Sequence, residues 1–195
     1  MIIILCGKSG CGKDSILKKM KTHGYVPMIS YTTRPKRDNE EDGVNYHFTD
    51  KETFLKMIDD DELIEWRSYN TTLNGVEDTW YYGMKKEKLS QYKTYVTILD
   101  FNGAIELKKY YGADNCFICY IDVPDCIREE RAIKRGSFDR EEWNRRLEAD
   151  EKDFSLEKIC EIADDRVQNI TTINNCIIDL ISKYVDRKRT EVVEV

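Results

Sequence analysis

The stretch GKSGCGKD, residues 7–14, follows the apolar run MIIIL at positions 1–5, and its reading decides the fold. Apolar, β-branched residues ending at a glycine predict a buried strand over Ile2 to Leu5. Ile16, Leu17 and Met20 share one face of a helix expected from Asp14 to Lys21, stopped by Gly24. Strand, glycine-rich loop and helix in that order are the context of the phosphate-binding pattern Gly-x-x-x-x-Gly-Lys-[Ser/Thr]. In such a loop Gly7, Gly10 and Gly12 permit tight turns, so that successive amides around Ser9 and beyond converge on an anion. The helix N-terminus adds its dipole. Lys13 supplies a mobile charge for the outer phosphates of a nucleoside triphosphate such as ATP. The place of the hydroxyl that completes a Mg²⁺ shell is held by Asp14, and Ser15 offers a hydroxyl one position later. A merely structural glycine turn is the alternative, and the strand-to-helix context argues against it.

Composition bounds the rest. A chain of 195 residues fits one domain with a small inserted lid. Hydrophobic residues, 41% of the chain, suffice for one core, while 35% charged residues and a mean hydropathy of -0.63 point away from membrane classes. A net charge of -6 excludes a broad nucleic-acid surface, so any basic site is local. The opening MIIIL is too short for a signal peptide and has no basic residue ahead of it. Seven cysteines, an odd number without secretory context, predict reduced thiols and a cytoplasmic protein. Cys116 and Cys119 form a CxxC inside CFICYI, but residues three apart on a strand point to opposite faces. Buried structural thiols are therefore expected there rather than a metal pair.

Further strands are expected at Val26 to Ser30, Leu63 to Trp66, Tyr95 to Asp100, Cys116 to Asp122 and Val167 to Asn169. Thr49-Asp50-Lys51-Glu52 resembles a capping box ahead of a helix carrying Phe54, Leu55 and Ile58. Another helix is expected around Ala104 to Tyr110. This alternation favours a parallel sheet. From Asp125 to Asp153, Arg128, Arg131, Lys134, Arg135, Arg140, Arg145 and Arg146 interleave with acids, as a solvated helical pair would. Ile173, Ile177, Leu180, Ile181 and Tyr184 mark a closing amphipathic helix, with the tail DRKRTEVVEV expected to fray.

A second anion-binding constellation lies in SYTTRPKRDNEEDGVNYHF, residues 30–48. Arg34, Lys36 and Arg37 form a positive cluster in an acidic chain, flanked by Ser30, Thr32 and Thr33 and followed by Tyr46. A solvated basic turn is the plain alternative. Guanidinium forks beside small hydroxyls nevertheless suit a phosphate dianion. Glu40, Glu41 and Asp42 either solubilise the loop or offer a carboxylate to the paired N–H groups of a guanine edge. Two phosphate sites in one small chain suggest phosphoryl transfer between nucleotides.

With these residues the sequence resembles the guanylate kinase family. Ser30, Arg34, Arg37, Glu40 and Tyr46 match its GMP-binding segment, and the match continues through Glu65 in LIEW, Tyr82 in YYG and Asp100 in ILDFNGA. It ends with Arg131, Arg135 and Arg146 in RAIKRG…RRL, and in all spans residues 2–185. The resemblance implies an α/β, three-layer P-loop kinase with a central parallel sheet, an inserted nucleoside-monophosphate-binding segment and a short helical lid. The core would comprise 1–30, 96–125 and 154–195, the GMP-binding segment 31–95 and the lid 126–153. It implies ATP and Mg²⁺ as cofactors and GMP or dGMP as acceptor, with no nucleic-acid or membrane partner; monomer and homodimer both stay open. Catalysis would rest on Lys13, Arg34, Arg131, Arg135 and Arg146. ATP would be bound by Gly7, Ser9, Gly10, Gly12, Lys13, Asp14, Ser15 and Asn169, and GMP by Ser30, Arg34, Arg37, Glu40, Tyr46, Glu65, Tyr82 and Asp100. Ser15 and Asp100 would serve the metal, directly or through water. The chain departs from the family at Met84, where a hydroxyl residue is usual, at Asn102, where a second acid is common, and in the longer segment 67–80. Those departures keep two rivals in view, a kinase for another monophosphate and a protein-binding module without catalysis.

Overall fold

The computed structural model describes residues 1–38, 40–73, 76–136 and 138–193. In chain order the elements are β1 (Ile2–Cys6), α1 (Lys13–Thr22), β2 (Val26–Pro27), β3 (Tyr31–Thr32), β4 (His47–Phe48), α2 (Lys51–Asp59), β5 (Leu63–Leu73) and β6 (Val76–Lys85). They continue with β7 (Tyr95–Ile98), α3 (Phe101–Tyr111), β8 (Cys116–Asp122), α4 (Asp125–Lys134), α5 (Arg140–Asp153), α6 (Leu156–Ile162), β9 (Asp165–Gln168) and α7 (Ile173–Val193). The chain divides into two compact units, Met1–Pro27 with Lys93–Val195, and Met28–Tyr92.

The first unit is built on a five-stranded sheet of order β2-β7-β1-β8-β9, with every pairing parallel. β1 is buried along its whole length and β8 nearly so, because helices cover both faces of a parallel sheet. Ile3, Leu5, Phe117, Cys119 and Ile121 pack with Ile16 and Met20 of α1 and Ile177 and Leu180 of α7. Residues of the opposite parity meet α3: Tyr120 and Phe101 stack with Phe154, at ring separations of 4.9 to 6.0 Å. This is the expected three-layer arrangement. β1 lies between β7 and β8, and the loop at its C-terminal end carries the phosphate-binding pattern, the usual place for a ligand in an open α/β sheet.

The thiols follow the strand parity. Cys116 Sγ faces the Leu107 carbonyl of α3, whereas Cys119 lies in the core shared with α1 and α7. Cys6, Cys11, Cys116, Cys119 and Cys176 are buried, and Cys126 and Cys160 are exposed. Burial pushes the Cys119 thiol up, and that of Cys176 up to about 11.

The second unit is a four-stranded sheet of order β4-β3-β6-β5. Helix α2 covers one face through Phe54 and Met57, which pack with Leu63, Tyr31, Ile58 and Tyr81. Gly83 lies on this covered face: a Cβ there would sit 3.0 Å from the Phe54 ring and 2.9 Å from the Glu65 carbonyl.

Several expectations need correction. The strand expected at Val26 to Ser30 stops at Pro27 on the sheet edge, where a residue without an N–H is tolerated, and the chain then starts a new strand at Tyr31. The helix at 51 is capped by Asp50 rather than by a Thr49 box: its carboxylate accepts from Thr53 N–H at 2.7 Å and from the Thr53 hydroxyl at 2.9 Å. The strand expected at Leu63 to Trp66 runs on to Leu73, and within the long 67–80 segment Arg67 to Leu73 pair antiparallel with Tyr82 to Val76, positions 74 and 75 lying outside the described residues. Helix α6, capped by Ser155, was not anticipated, and the tail expected to fray continues α7 to Val193.

Candidate active site

The phosphate loop is built by main chain. Gly12 is the N-cap of α1 at φ 95°, and the first helical hydrogen bond runs from Ile16 N–H to Gly12 C=O at 3.0 Å. The amides of Lys13, Asp14 and Ser15 precede that bond, and no side chain caps them. An uncapped helix start of this kind presents donors and a positive dipole end to an anion. A Cβ on Gly12 would come within 2.6 Å of Asn169 Nδ2, so both φ and space demand glycine there. Lys13 lies back over the loop, donating to the carbonyls of Gly7 at 2.5 Å and Lys8 at 3.2 Å.

Asn169 is buried at the end of β9 and braces the loop by donating from Nδ2 to the Cys11 carbonyl at 2.8 Å. Arg131 of α4 donates to the same carbonyl at 3.3 Å and to the Asn169 carbonyl at 2.6 Å. The structure therefore brings Lys13, Arg131 and Asn169 together on the loop. Asp14 and Ser15 are exposed on the first turn of α1. Asp100 follows β7, paired with β1 through Leu5 and Ile98, and caps α3 by accepting from Gly103 N–H at 2.9 Å. Arg135 ends α4 exposed, with no side-chain hydrogen bond or ion pair among the described residues. Arg146 is paired with Glu142 at 2.7 Å, as the plain reading of that helical charge run allowed. Arg145 and Arg146 hold the Glu142 carboxyl down at about 2, against the opposing effect of its partial burial.

Two residues of this region escaped the sequence reading. Arg128, expected on a solvated face, is fully buried, and Asp150 of α5 meets it at 2.9 Å. Arg128 lies three residues before Arg131, hence on the same helical face, and that spacing was the available signal.

In the second unit the face opposite α2 carries the acceptor candidates. Arg34 is 5% exposed; its Nη2 donates to Glu40 Oε1 at 2.7 Å and its Nη1 to the Pro35 carbonyl at 2.7 Å. Glu40 Oε2 accepts from Arg37 N–H at 2.9 Å, so this acid holds the basic loop in shape. Burial raises the Glu40 carboxyl, but the bonds from Arg34 and the Arg37 amide outweigh it and leave it below its ordinary value. Burial likewise works against the Arg34 charge, and Glu40 reverses that. Asp42 is also structural, accepting from Phe48 N–H at 2.8 Å. Arg37 is exposed, and the Ser30 carbonyl accepts from His47 N–H at 2.9 Å.

Rings line this face: the Arg34 guanidinium lies 5.5 Å from the Tyr46 ring centre, Tyr46 meets Tyr82 edge-on at 5.9 Å, and Tyr82 meets Tyr69 at 5.6 Å. Across the ribbon Arg67 is opposite Tyr82 and Glu65 opposite Met84. A register shift between Leu63 and Glu65 lets Leu63 pack on α2 while Glu65 turns to the other face, beside Arg67 at 3.5 Å. Met84, 1% exposed, brings no hydroxyl to that corner.

Comparison with known proteins decides the family. The family model described as guanylate kinase matches residues 1–180. The chain belongs to the guanylate kinase family. The protein named guanylate kinase from Thermotoga maritima is 34% identical over 139 residues, covering 70% of this chain and 64% of that protein. The one from Halalkalibacterium halodurans is 27% identical over 196 residues and covers 94% of each. Among solved structures, a guanylate kinase from Anaplasma phagocytophilum superposes with a TM-score of 0.65 at 22% identity, covering 96% of this chain and 85% of that one, which supports the fold. As a guanylate kinase family member the chain carries the P-loop at its N-terminus and the arginine-rich loop at 34–37 in the order in which the sequence presented them. No helix among the described residues is long and apolar enough to cross a membrane.

Proposed function

We infer that the protein transfers the γ-phosphoryl group of ATP to the phosphate of GMP or dGMP. A GMP phosphate oxygen forms the new bond to phosphorus, the bond to the β–γ bridging oxygen breaks, and ADP leaves. No general base is required, because the acceptor phosphate is ionised near neutrality. The observation that supports this reading, beside family membership, is that each unit presents a cationic group of its own: Lys13 at the uncapped α1 start, and the buried Arg34 held by Glu40.

Phosphoryl transfer asks for alignment and charge neutralisation rather than covalent work by side chains. Lys13 leaves its carbonyl perch for the outer phosphates of ATP, while the amides of Lys13, Asp14 and Ser15 hold them. Gly7, Ser9, Gly10 and Gly12 shape that loop, and Asn169 keeps the Cys11 peptide in place. Arg34, Arg37, Tyr46 and Tyr82 take the GMP phosphate, and Glu65 accepts from the guanine N1–H and N2–H pair. Glu40 acts through Arg34, and Ser30 and Asp100 complete the set. Residues 126–153 act as a lid, with Arg131, Arg135 and Arg146 neutralising the transferring group and excluding water.

Mg²⁺ suits the donors present, since the Ser15 hydroxyl and the Asp100 carboxylate are hard oxygen ligands of the kind it prefers. Held there, it would supply positive charge against the negative charge of the donor phosphates. We propose a cytoplasmic location, which the odd number of cysteines supports.

The test is an acceptor screen of GMP, dGMP, IMP, AMP and UMP with ATP, run on the wild type and on Lys13→Ala. GMP and dGMP are expected to lead, with turnover falling by about a hundredfold or more in the variant. Preference for another monophosphate refutes the acceptor assignment; undiminished turnover in the variant removes Lys13 from the reaction.

A further inference from the structure

Arg128 of the first unit is fully buried. Its Nη1 donates to the Ser9 carbonyl at 2.7 Å and to Asp150 Oδ2 at 2.9 Å, and its Nη2 donates to Asp125 Oδ1 at 2.7 Å. Its guanidinium lies 5.7 Å from the Trp143 ring centre, and its Nε has no hydrogen-bond partner. Asp150 in turn accepts from Ser9 N–H at 2.8 Å with Oδ2 and from the Ser9 hydroxyl at 3.2 Å with Oδ1. The pair thus grips both the N–H and the C=O of one residue in the phosphate loop.

A trans peptide points its N–H and its C=O in opposite directions, so fixing one fixes the other. Ser9 N–H, held by Asp150, turns the Lys8 carbonyl the other way, where it receives Cys11 N–H at 3.3 Å and Lys13 Nζ at 3.2 Å. The Ser9 carbonyl, held by Arg128, turns the Gly10 amide away from α4. The fit is close on the helix side as well. A Cβ on Gly10 would lie 3.0 Å from the Arg128 carbonyl and 3.2 Å from its Cβ. At the rim, Lys8 pairs with Glu151, next to Asp150.

Stability alone does not account for such a pair. Burying two charges costs desolvation energy, and apolar residues of equal volume commonly serve a core as well or better. What an apolar pair lacks is any means of orienting Ser9. We propose that Arg128 and Asp150 are positioning residues of the phosphate loop, aiming the Gly10 amide and the Lys8 carbonyl so that the loop and Lys13 are set for the donor nucleotide. Neither touches the nucleotide; both act through Ser9. Asp150 is neutralised by Arg128, so the anion site is not opposed by an unpaired carboxylate beneath it.

This rests on the reading that the loop binds ATP, and the experiment separates the two. The non-hydrolysable β,γ-imido analogue of ATP and, separately, GMP are titrated calorimetrically into the wild type, Arg128→Met/Asp150→Leu, Asp150→Asn and Lys13→Ala. The double variant keeps the buried volume and removes the charges. Expected is an affinity loss of about tenfold or more for the ATP analogue with GMP affinity within about twofold, and a smaller loss of the same kind for Asp150→Asn. A folded double variant that binds the analogue as the wild type does, or that loses both ligands equally, overturns the proposal. Should the double variant not unfold cooperatively, Asp150→Asn is judged by the same two affinities. Lys13→Ala is expected to weaken the analogue; if it does not, the assignment of ATP to the loop fails, independently of Arg128 and Asp150.

Discussion

Gly83 sits where a single methyl group would matter. The Phe54 ring and the Glu65 carbonyl lie 3.0 and 2.9 Å from the position of its missing Cβ, and the carbonyl is fixed by the sheet. Gly83→Ala is expected to destabilise the second unit by about 1–3 kcal/mol through overpacking, read as a lower denaturant midpoint. Because the strain falls on the backbone of Glu65, affinity for GMP should fall while that for ATP holds. In the sequence this glycine was one letter of YYG, and Phe54, the side chain that requires it, lies far away in the chain. Lys13 and Arg34 could be named as candidates because the pattern around each is written in neighbouring letters. Arg128 and Asp150 could not, because an arginine among acids on a helix normally means a solvated face, and nothing local says which one turns inward.

At the scale of elements, α5 is tied together by its first-turn acid. Asp139 caps it by accepting from Glu142 N–H at 2.7 Å, and the Glu142 carboxylate binds Arg145 and Arg146, each at 2.7 Å. The sign of the resulting pH dependence follows from the direction of the shift. The folded carboxyl titrates at about 2, against an ordinary 4.5, so its stabilisation is complete above the ordinary value and is lost as pH falls through about 2. Glu142→Gln should therefore lower the urea midpoint near neutrality, where both ion pairs are complete, and flatten its fall across that acid window, so that variant and wild type converge near pH 2. Helix α5 itself was readable from its charged periodicity. The ribbon of β5 and β6 was less so, since the RSYNTT stretch carries no apolar alternation and strand pairing beyond Trp66 is held by the ladder. The register shift that separates the faces of Leu63 and Glu65 likewise leaves no mark in composition.

For the molecule as a whole, the apolar runs announced strands but not their neighbours: the order β2-β7-β1-β8-β9 depends on pairings between distant segments that a sequence lists without connecting. Sulfur placement follows from the same packing. Five cysteines are buried within the folded chain, and Cys126 on α4 and Cys160 on α6 face outward. A small chromogenic disulfide added to native protein should accordingly titrate two sulfhydryls quickly and all seven after full denaturation. The stoichiometry of that colour change serves as an intrinsic counter of opened molecules, with no dye attached and no residue replaced. More than two fast equivalents at neutral pH would reveal breathing around Cys6, Cys11, Cys116, Cys119 or Cys176 that the static packing does not suggest.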